Sequence, residues 1–326
     1  MKFVRSHWFV FLLLVTILIV LISELFFHAG QRKREEPGKD KLSTLIPDFH
    51  TLTNSPSDEL IKYGRELVIN TAKYYGPKGS ISKVGNGLNC QNCHLEAGMK
   101  PFANNFLDVA GTYPKFRARS GEIESVNHRI RDCYQRSLTA NALDSNTKEM
   151  KALAAYILWT GKNISKDNHP DGVGSMEIPF MNRAADSARG IAVYNTRCTV
   201  CHGANGEGKV SSDSVTYLYP PVCGEHSYAV SAGMYRITKL ASFLRNNMPQ
   251  GASYQHPQLV NEEAWDVAAF INSQPHPKII FSSDWPSTST KPVDYPFEPY
   301  TDGYTETEHK YGPFQPIVDK RKAMGQ

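Results

Sequence analysis

Apolar residues are distributed in three distinct ways along the chain. From Trp8 to Ile22 every position but Thr16 is apolar, and Leu25, Phe26 and Phe27 extend the run past Ser23 and Glu24. About 20 residues carry a helix across a bilayer core, so Trp8–Phe27 is long enough to span. Lys2 and Arg5 precede the run, as they would in a signal peptide, but the best small-residue cleavage site is His28-Ala29-Gly30. Length and flanks favour an uncleaved membrane anchor over residues 1–29, and both readings export the rest of the chain. Residues 30–57 are polar, rich in Lys, Glu, Pro and Ser, and read as a tether.

Beyond the tether, apolar positions recur at helical spacing. Tyr63-Gly64-Arg65-Glu66-Leu67-Val68 opens one segment, and Lys148–Trp159 closes it with Met150, Leu153, Ala154 and Ile157 on one stripe. Arg189-Gly190-Ile191-Ala192-Val193-Tyr194 opens another, and Glu262–Ile271 closes it with Trp265, Ala268, Ala269 and Asn272 on one stripe. Both closing helices end Ala-Ala-aromatic-Ile, so an internal duplication is the economical reading, with domains at 58–175 and 176–275. The stripes are core, and no run alternates with period two. Both domains are therefore expected to be mainly α-helical with long loops. From Pro275 to Pro316 prolines recur among many tyrosines, which excludes long helices. The aromatics favour an extended tail over residues 276–326, packed across the domains, rather than disorder.

Composition narrows the function. With 40% hydrophobic and 21% charged residues the chain is an ordinary globular protein, and its net charge of +4 is too weak to imply nucleic acid. Six cysteines in 326 residues are not a disulfide framework. Four of them fall in CQNCH at 90–94 and CTVCH at 198–202, one motif per domain. Two thiols form thioethers with haem vinyl groups and the following histidine reaches the iron from the same short helix, the pattern of covalent c-type haem. A zinc site made of paired CxxC would not need a histidine after each pair. The expectation is two haems, held by Cys90, Cys93 and His94 and by Cys198, Cys201 and His202. Such haems are attached outside the bacterial cytoplasmic membrane, on its periplasmic side. Helices, motif and long loops together resemble the class I cytochrome c fold.

The sixth iron ligand decides each haem's role. In the second domain Met248-Pro249 precedes the closing helix, where a class I cytochrome places its axial methionine; a thioether raises the potential and suits electron transfer. Met234 is the rival. The first domain has no such Met-Pro, and offers Met99, His128 and Cys133. As a helix, residues 124–138 put Ile130, Tyr134 and Leu138 on one stripe and Arg129, Cys133 and Ser137 on the next. Arginines beside a thiol favour thiolate, which can ligate iron or act as a nucleophile. An isolated cysteine is most often an inert buried residue, though the arginine neighbours weigh against that here, and His128 is the alternative ligand. Cys223 reads as a packed thiol.

A more specific likeness lies in Asn89–Gly98, Lys100–Asn104, Tyr113-Pro114, Arg117–Glu122 and Arg129–Ser137, continuing through Tyr219-Pro220-Pro221, Asn247-Met248-Pro249 and His309–Phe314. In order and spacing these resemble the dihaem thiosulfate dehydrogenase/tetrathionate reductase family. The resemblance implies a catalytic first haem with His94 and Cys133 as axial ligands. It implies active-site roles for Arg119, Arg129 and Ser137, with Gln135 in the same motif, and a His202/Met248 relay haem. It also implies thiosulfate and tetrathionate as substrates, and an external redox partner such as a small cytochrome c or a quinol-linked membrane complex. The competing reading is a membrane-tethered dihaem electron carrier without substrate chemistry of its own. A third is a relative that turns over another sulfur anion.

Overall fold

A computed structural model describes residues 42–166, 170–212 and 216–326, together with Leu18. Contacts divide the chain into Met1–Thr44 and Leu45–Gln326. The apolar run Trp8–Phe27 lies outside the described residues, apart from Leu18, and among the described residues no helix is long and apolar enough to cross a membrane.

In Leu45–Gln326 the first half is built on helices α1 (Pro56–Ile69), α2 (Val126–Arg136) and α3 (Lys148–Thr160). The second half uses α4 (Ser187–Arg197), α5 (Ile237–Asn247) and α6 (Asn261–Ser273). Most starts are written in the sequence. The side chains of Ser55, Ser125, Thr147 and Asp186 each accept a backbone N–H of the first turn of α1, α2, α3 and α4, and Pro56 occupies the first helical position of α1. Such a cap contributes about 1 kcal/mol.

The duplication is visible at atomic detail where α1 crosses α3 and α4 crosses α6. A Cβ on Gly64 would lie 2.0 Å from the Ala152 carbonyl oxygen, and one on Gly190 would lie 2.0 Å from that of Asp266. Tyr156 and Phe270, each one turn beyond, cover the two crossings. The backbones touch, so only glycine fits. Around these crossings two cores form. Leu67, Met150, Leu153 and Tyr156 anchor the first, and Ile237, Trp265, Ala268 and Ile317 the second. Each fully buried large side chain contributes roughly 1.5–3 kcal/mol. Phe49 and Leu52, from the polar stretch that reads as a tether, pack against the first core, with Phe49 edge-on to Trp159.

Two small hairpins escape the pattern of the sequence: β1 (Lys115–Arg117) with β2 (Glu122–Glu124), and β3 (Lys209–Val210) with β4 (Tyr217–Tyr219). Strands of two or three residues are too short to show alternation, and the cross-strand pair Phe116 and Ile123 points to solvent, so no buried apolar face marks them.

The tail differs from the expected extended segment. It contains α7 (Glu306–Tyr311) and α8 (Phe314–Ala323), because Pro313 caps α8 and Pro316 sits in its first turn, where a missing N–H costs little. It packs against both halves. Phe314 and Ile317 enter the second core beside Trp265. Asp284 accepts two hydrogen bonds from Arg136 of α2, at 2.6 and 2.7 Å, and the Trp285 backbone N–H donates to the Arg119 carbonyl at 2.7 Å.

Candidate active site

The first CxxCH motif is held as a loop. Cys90–Asn92 is a single tight turn whose start is tied down by Asn89, which accepts the Ala72 N–H at 2.9 Å, and by Thr71, which accepts the Cys90 N–H at 3.0 Å. His94 follows at non-helical angles, so the first histidine does not share a helix with its cysteines. The second motif does, over Thr199–His202.

Both histidines are oriented alike. Nδ1 of His94 donates to the Asn104 carbonyl, and Nδ1 of His202 donates to the Pro220 carbonyl at 2.8 Å. A carbonyl can only accept, so the proton is on Nδ1 and the Nε2 lone pair is free for a metal.

Cys90, Cys93 and His94 open on one cavity, walled by Val68, Phe106, Ile130, Leu153 and Ile157. Cys133 and Ser137 of α2 and its C-cap line the same cavity as His94. The thiols behave differently. Burial pushes Cys90 up to about 11 and Cys93 up to about 12, so both remain neutral. Burial also works to raise Cys133, but nearby positive charge, chiefly the Arg129 guanidinium, brings it down to about 7. Cys133 is therefore the thiol prepared to be an anion. Arg129 in turn is held firmly protonated, chiefly by Cys133.

An apolar chamber with two neutral thiols and an oriented histidine on one wall and an anionic sulfur ligand on another fits a covalent haem. Among the described residues no group of three His, Cys, Asp or Glu side chains could cage a bare metal ion.

The remaining predicted residues fall differently. Arg119 and Gln135 line a polar pocket beside Arg136 and Asp284, along with His128, rather than the chamber of Cys133. Arg119 nevertheless stays within electrostatic range of Arg129: burial first, then Arg129 and Arg136, pull its pKa down to about 10. Met99 packs against the first core. Three cavity residues carry no role in the sequence reading: Tyr113, Lys115 and Arg117. Lys115 and Arg117 share one face of β1 with exposed Phe116 on the other, but a three-residue strand is too short for that alternation to be read from sequence. With Arg129 they place three cations around the cavity.

In the second half, Cys198 and Met248 pack against one core, and burial lifts Cys198 to about 11. Met248 follows the last residue of α5. Met234 packs against the same core, and its sulfur also accepts from the Asn104 side chain at 3.7 Å. Arg245 is engaged with Asn261, and Asn247 donates to the Phe102 carbonyl at 3.2 Å. The Cys223 thiol is buried, donates to the Asn205 carbonyl at 3.1 Å and is pushed up to about 11 by burial.

Comparison with known proteins agrees with this division. Residues 82–164 match the SoxA/TsdA cytochrome c domain, and residues 187–275 match the cytochrome c domain. The chain is 34% identical over 247 residues to a thiosulfate dehydrogenase of Allochromatium vinosum, covering 74% of this chain and 87% of that one. It is 30% identical over 274 residues to that of Stutzerimonas stutzeri, covering 82% and 86%. For Psychrobacter arcticus the figures are 32% over 243 residues, covering 74% and 71%. Among solved structures it resembles a thiosulfate dehydrogenase (TsdBA) from Marichromatium purpuratum in its as-isolated form, with a TM-score of 0.64 and 30% identity. That match covers 70% of this chain, which spans only 48% of the solved one. Two cytochrome c domains of this kind carry two covalently bound c-type haems. The chain thus belongs to the thiosulfate dehydrogenase family of dihaem cytochromes.

Proposed function

We propose that this protein interconverts thiosulfate and tetrathionate, joining two thiosulfates through a new S–S bond with release of two electrons, or reversing that step. The observation that carries the reading is Cys133: a part-buried thiol made acidic by Arg129, lining the same cavity as the oriented His94 of the first CxxCH motif. Cys90 and Cys93 would attach one haem and Cys198 and Cys201 the other, with His94 and Cys133 as axial ligands of the first iron and His202 and Met248 of the second. Met234 is already engaged with Asn104, which favours Met248. Bound haem supplies one-electron redox chemistry at both sites, at a lower potential where a thiolate ligates.

The chain's own residues handle charge. Two thiosulfate dianions 4 Å apart repel by about 4 kcal/mol even in water, and by more in a partly dry site. Lys115, Arg117 and Arg129 bring three positive charges to the cavity, and guanidinium groups bind sulfonate oxygens through paired hydrogen bonds. Ser137, one turn beyond Cys133, offers a hydroxyl at the same wall. Arg119 and Gln135 would complete the anion site from the adjoining pocket. A carrier that only relays electrons needs neither the acidic thiol nor these cations. The relay haem would deliver electrons to an external cytochrome or quinol-linked complex, and residues 1–29 would anchor the chain on the periplasmic face.

The test is an assay of the full holoprotein, purified from the membrane fraction, with thiosulfate plus ferricyanide and with tetrathionate plus reduced viologen. Turnover is expected, and Cys133→Met should keep both haems while activity falls ~100-fold or more. Inactivity of the wild type in both directions with both haems attached would leave the carrier reading standing. Undiminished turnover by Cys133→Met would remove Cys133 from the chemistry.

A further inference from the structure

We propose that the tail segment Phe281–Pro286 is part of the substrate site, with Trp285 as the residue that positions Arg119. This rests on the reading that Arg119 binds the sulfur anions. Three arginines converge near α2, and they are compensated unequally. Arg136 is paired twice over with Asp284 and lies over the Phe281 ring, its guanidinium carbon 4.1 Å from the centroid. Arg129 has Cys133 and the Asp132 carboxylate, 3.7 Å away. Among the described residues no carboxylate lies within ion-pairing distance of Arg119, and its buried Nε has no hydrogen-bond partner. Of these three arginines it is therefore the one most available to an incoming anion, and also the one that repulsion from the other two would displace.

What holds it is Trp285. The guanidinium carbon of Arg119 lies 5.6 Å from the centroid of the Trp285 ring, within cation–π range, and the backbone N–H of Trp285 donates to the Arg119 carbonyl at 2.7 Å. One tail residue thus grips both ends of the arginine. Trp285 takes up this place at φ 61°, in the left-handed region where a bulky aromatic residue is rare. Such strain persists only where the surroundings enforce it. Here they do: Tyr295 meets the indole edge-on at 5.5 Å, and Pro286 leaves no room for a Cβ on Gly121, which would lie 2.7 Å from it. Asp284, the adjacent residue, takes Arg136 out of competition for the anion. The lowered pKa of Arg119 agrees with this crowding of cations.

Steady-state kinetics of the holoprotein decide the matter. Trp285→Ala should raise KM for thiosulfate ~10-fold while kcat changes much less, and Trp285→Phe, which keeps a π face, should restore most of the affinity. In an Arg119→Ala background the Trp285→Ala change should add nothing, because the tryptophan acts through the arginine. A role confined to stability would lower the melting temperature and leave KM unchanged, and that result overturns the proposal. So does an undiminished effect of Trp285→Ala in the Arg119→Ala background. Should Trp285→Ala fail to load haem, Trp285→Leu fills the space without a π face, and a KM equal to that of Trp285→Phe overturns it equally. A wild type that does not turn over thiosulfate would instead sink the functional reading.

Discussion

At the first iron site the histidine's second nitrogen is governed by a residue with no titratable group. Asn104 sits at φ 54°, a backbone that asparagine tolerates better than most residues, and its carbonyl takes the His94 proton. Its side chain is fully used: Nδ2 reaches the Cys93 carbonyl at 3.3 Å and the Met234 sulfur at 3.7 Å, and Oδ1 accepts from Ser175 at 2.6 Å. Donating Nδ1–H to a fixed carbonyl makes the imidazole a stronger ligand and favours oxidised iron. Asn104→Ala should therefore raise the midpoint potential of the first haem by tens of millivolts, on the order expected for a change one shell out from the metal, and leave the second unmoved. Asn104→Gly, which accepts the left-handed backbone, separates side-chain loss from strain. A spectroelectrochemical titration reads both, and an unshifted potential would show that the carbonyl holds without its side chain. Cys133 and Arg129 were legible because they lie four apart on one helix beside a CxxCH cavity. Asn104 was not, because its contribution is a main-chain oxygen. Lys115 and Arg117 were not, because a three-residue strand leaves too faint a period.

Among the elements, helices were legible where caps and stripes agree. Ser125 before α2 and Thr147 before α3 mark starts, and Ile130, Tyr134 and Leu138 are buried as their spacing predicts. The tail helices were not, since prolines normally argue against helix and the sequence does not say that Pro313 and Pro316 fall at an N-terminus. The glycines show a quieter signal. Alanine in place of a mid-helix glycine should gain about 1 kcal/mol from propensity, yet Gly64 and Gly190 sit in equivalent helices, where a Cβ on either would lie 2.0 Å from a carbonyl oxygen. Overpacking costs typically about 1–3 kcal/mol and more where backbone must move, so packing wins. Gly64→Ala and Gly190→Ala should each destabilise the holoprotein by about 2 kcal/mol in urea unfolding. An alanine variant as stable as the wild type would mean that α1 and α3, or α4 and α6, can part without loss.

Over Leu45–Gln326 the duplication is legible and the assembly is not, because the two halves meet through scattered polar contacts. Asn86 donates to the Ser227 carbonyl, the Ala229 N–H donates to the Arg136 carbonyl, and Asn247 reaches Phe102. The tail then secures both halves, and within it the buried Asp302 gathers several partners. Asp302 accepts from Arg321 Nε at 2.6 Å and from His309 Nε2 at 3.0 Å, while the Tyr300 ring stacks on His309 at 3.6 Å. Burial opposes the Asp302 carboxylate, but its hydrogen bonds with Arg321, Tyr304 and His309 outweigh that and hold its pKa below the usual aspartate value. A carboxyl whose folded pKa is depressed contributes stability above its unfolded pKa and loses it as pH falls through the folded one. Removing one member of a buried charged cluster strands the others, so Asp302→Asn should cost about 3 kcal/mol at neutral pH. Because the same tail presents Asp284 to α2 and Trp285 to Arg119 in the β1–β2 turn, the loss should also weaken substrate affinity, without touching either CxxCH motif. Melting temperatures of wild type and Asp302→Asn, followed from neutral pH into acid, should converge once the pH passes below the aspartate range. A gap of constant width at every pH would show that the variant perturbs packing and that the charge of Asp302 is not what locks the tail.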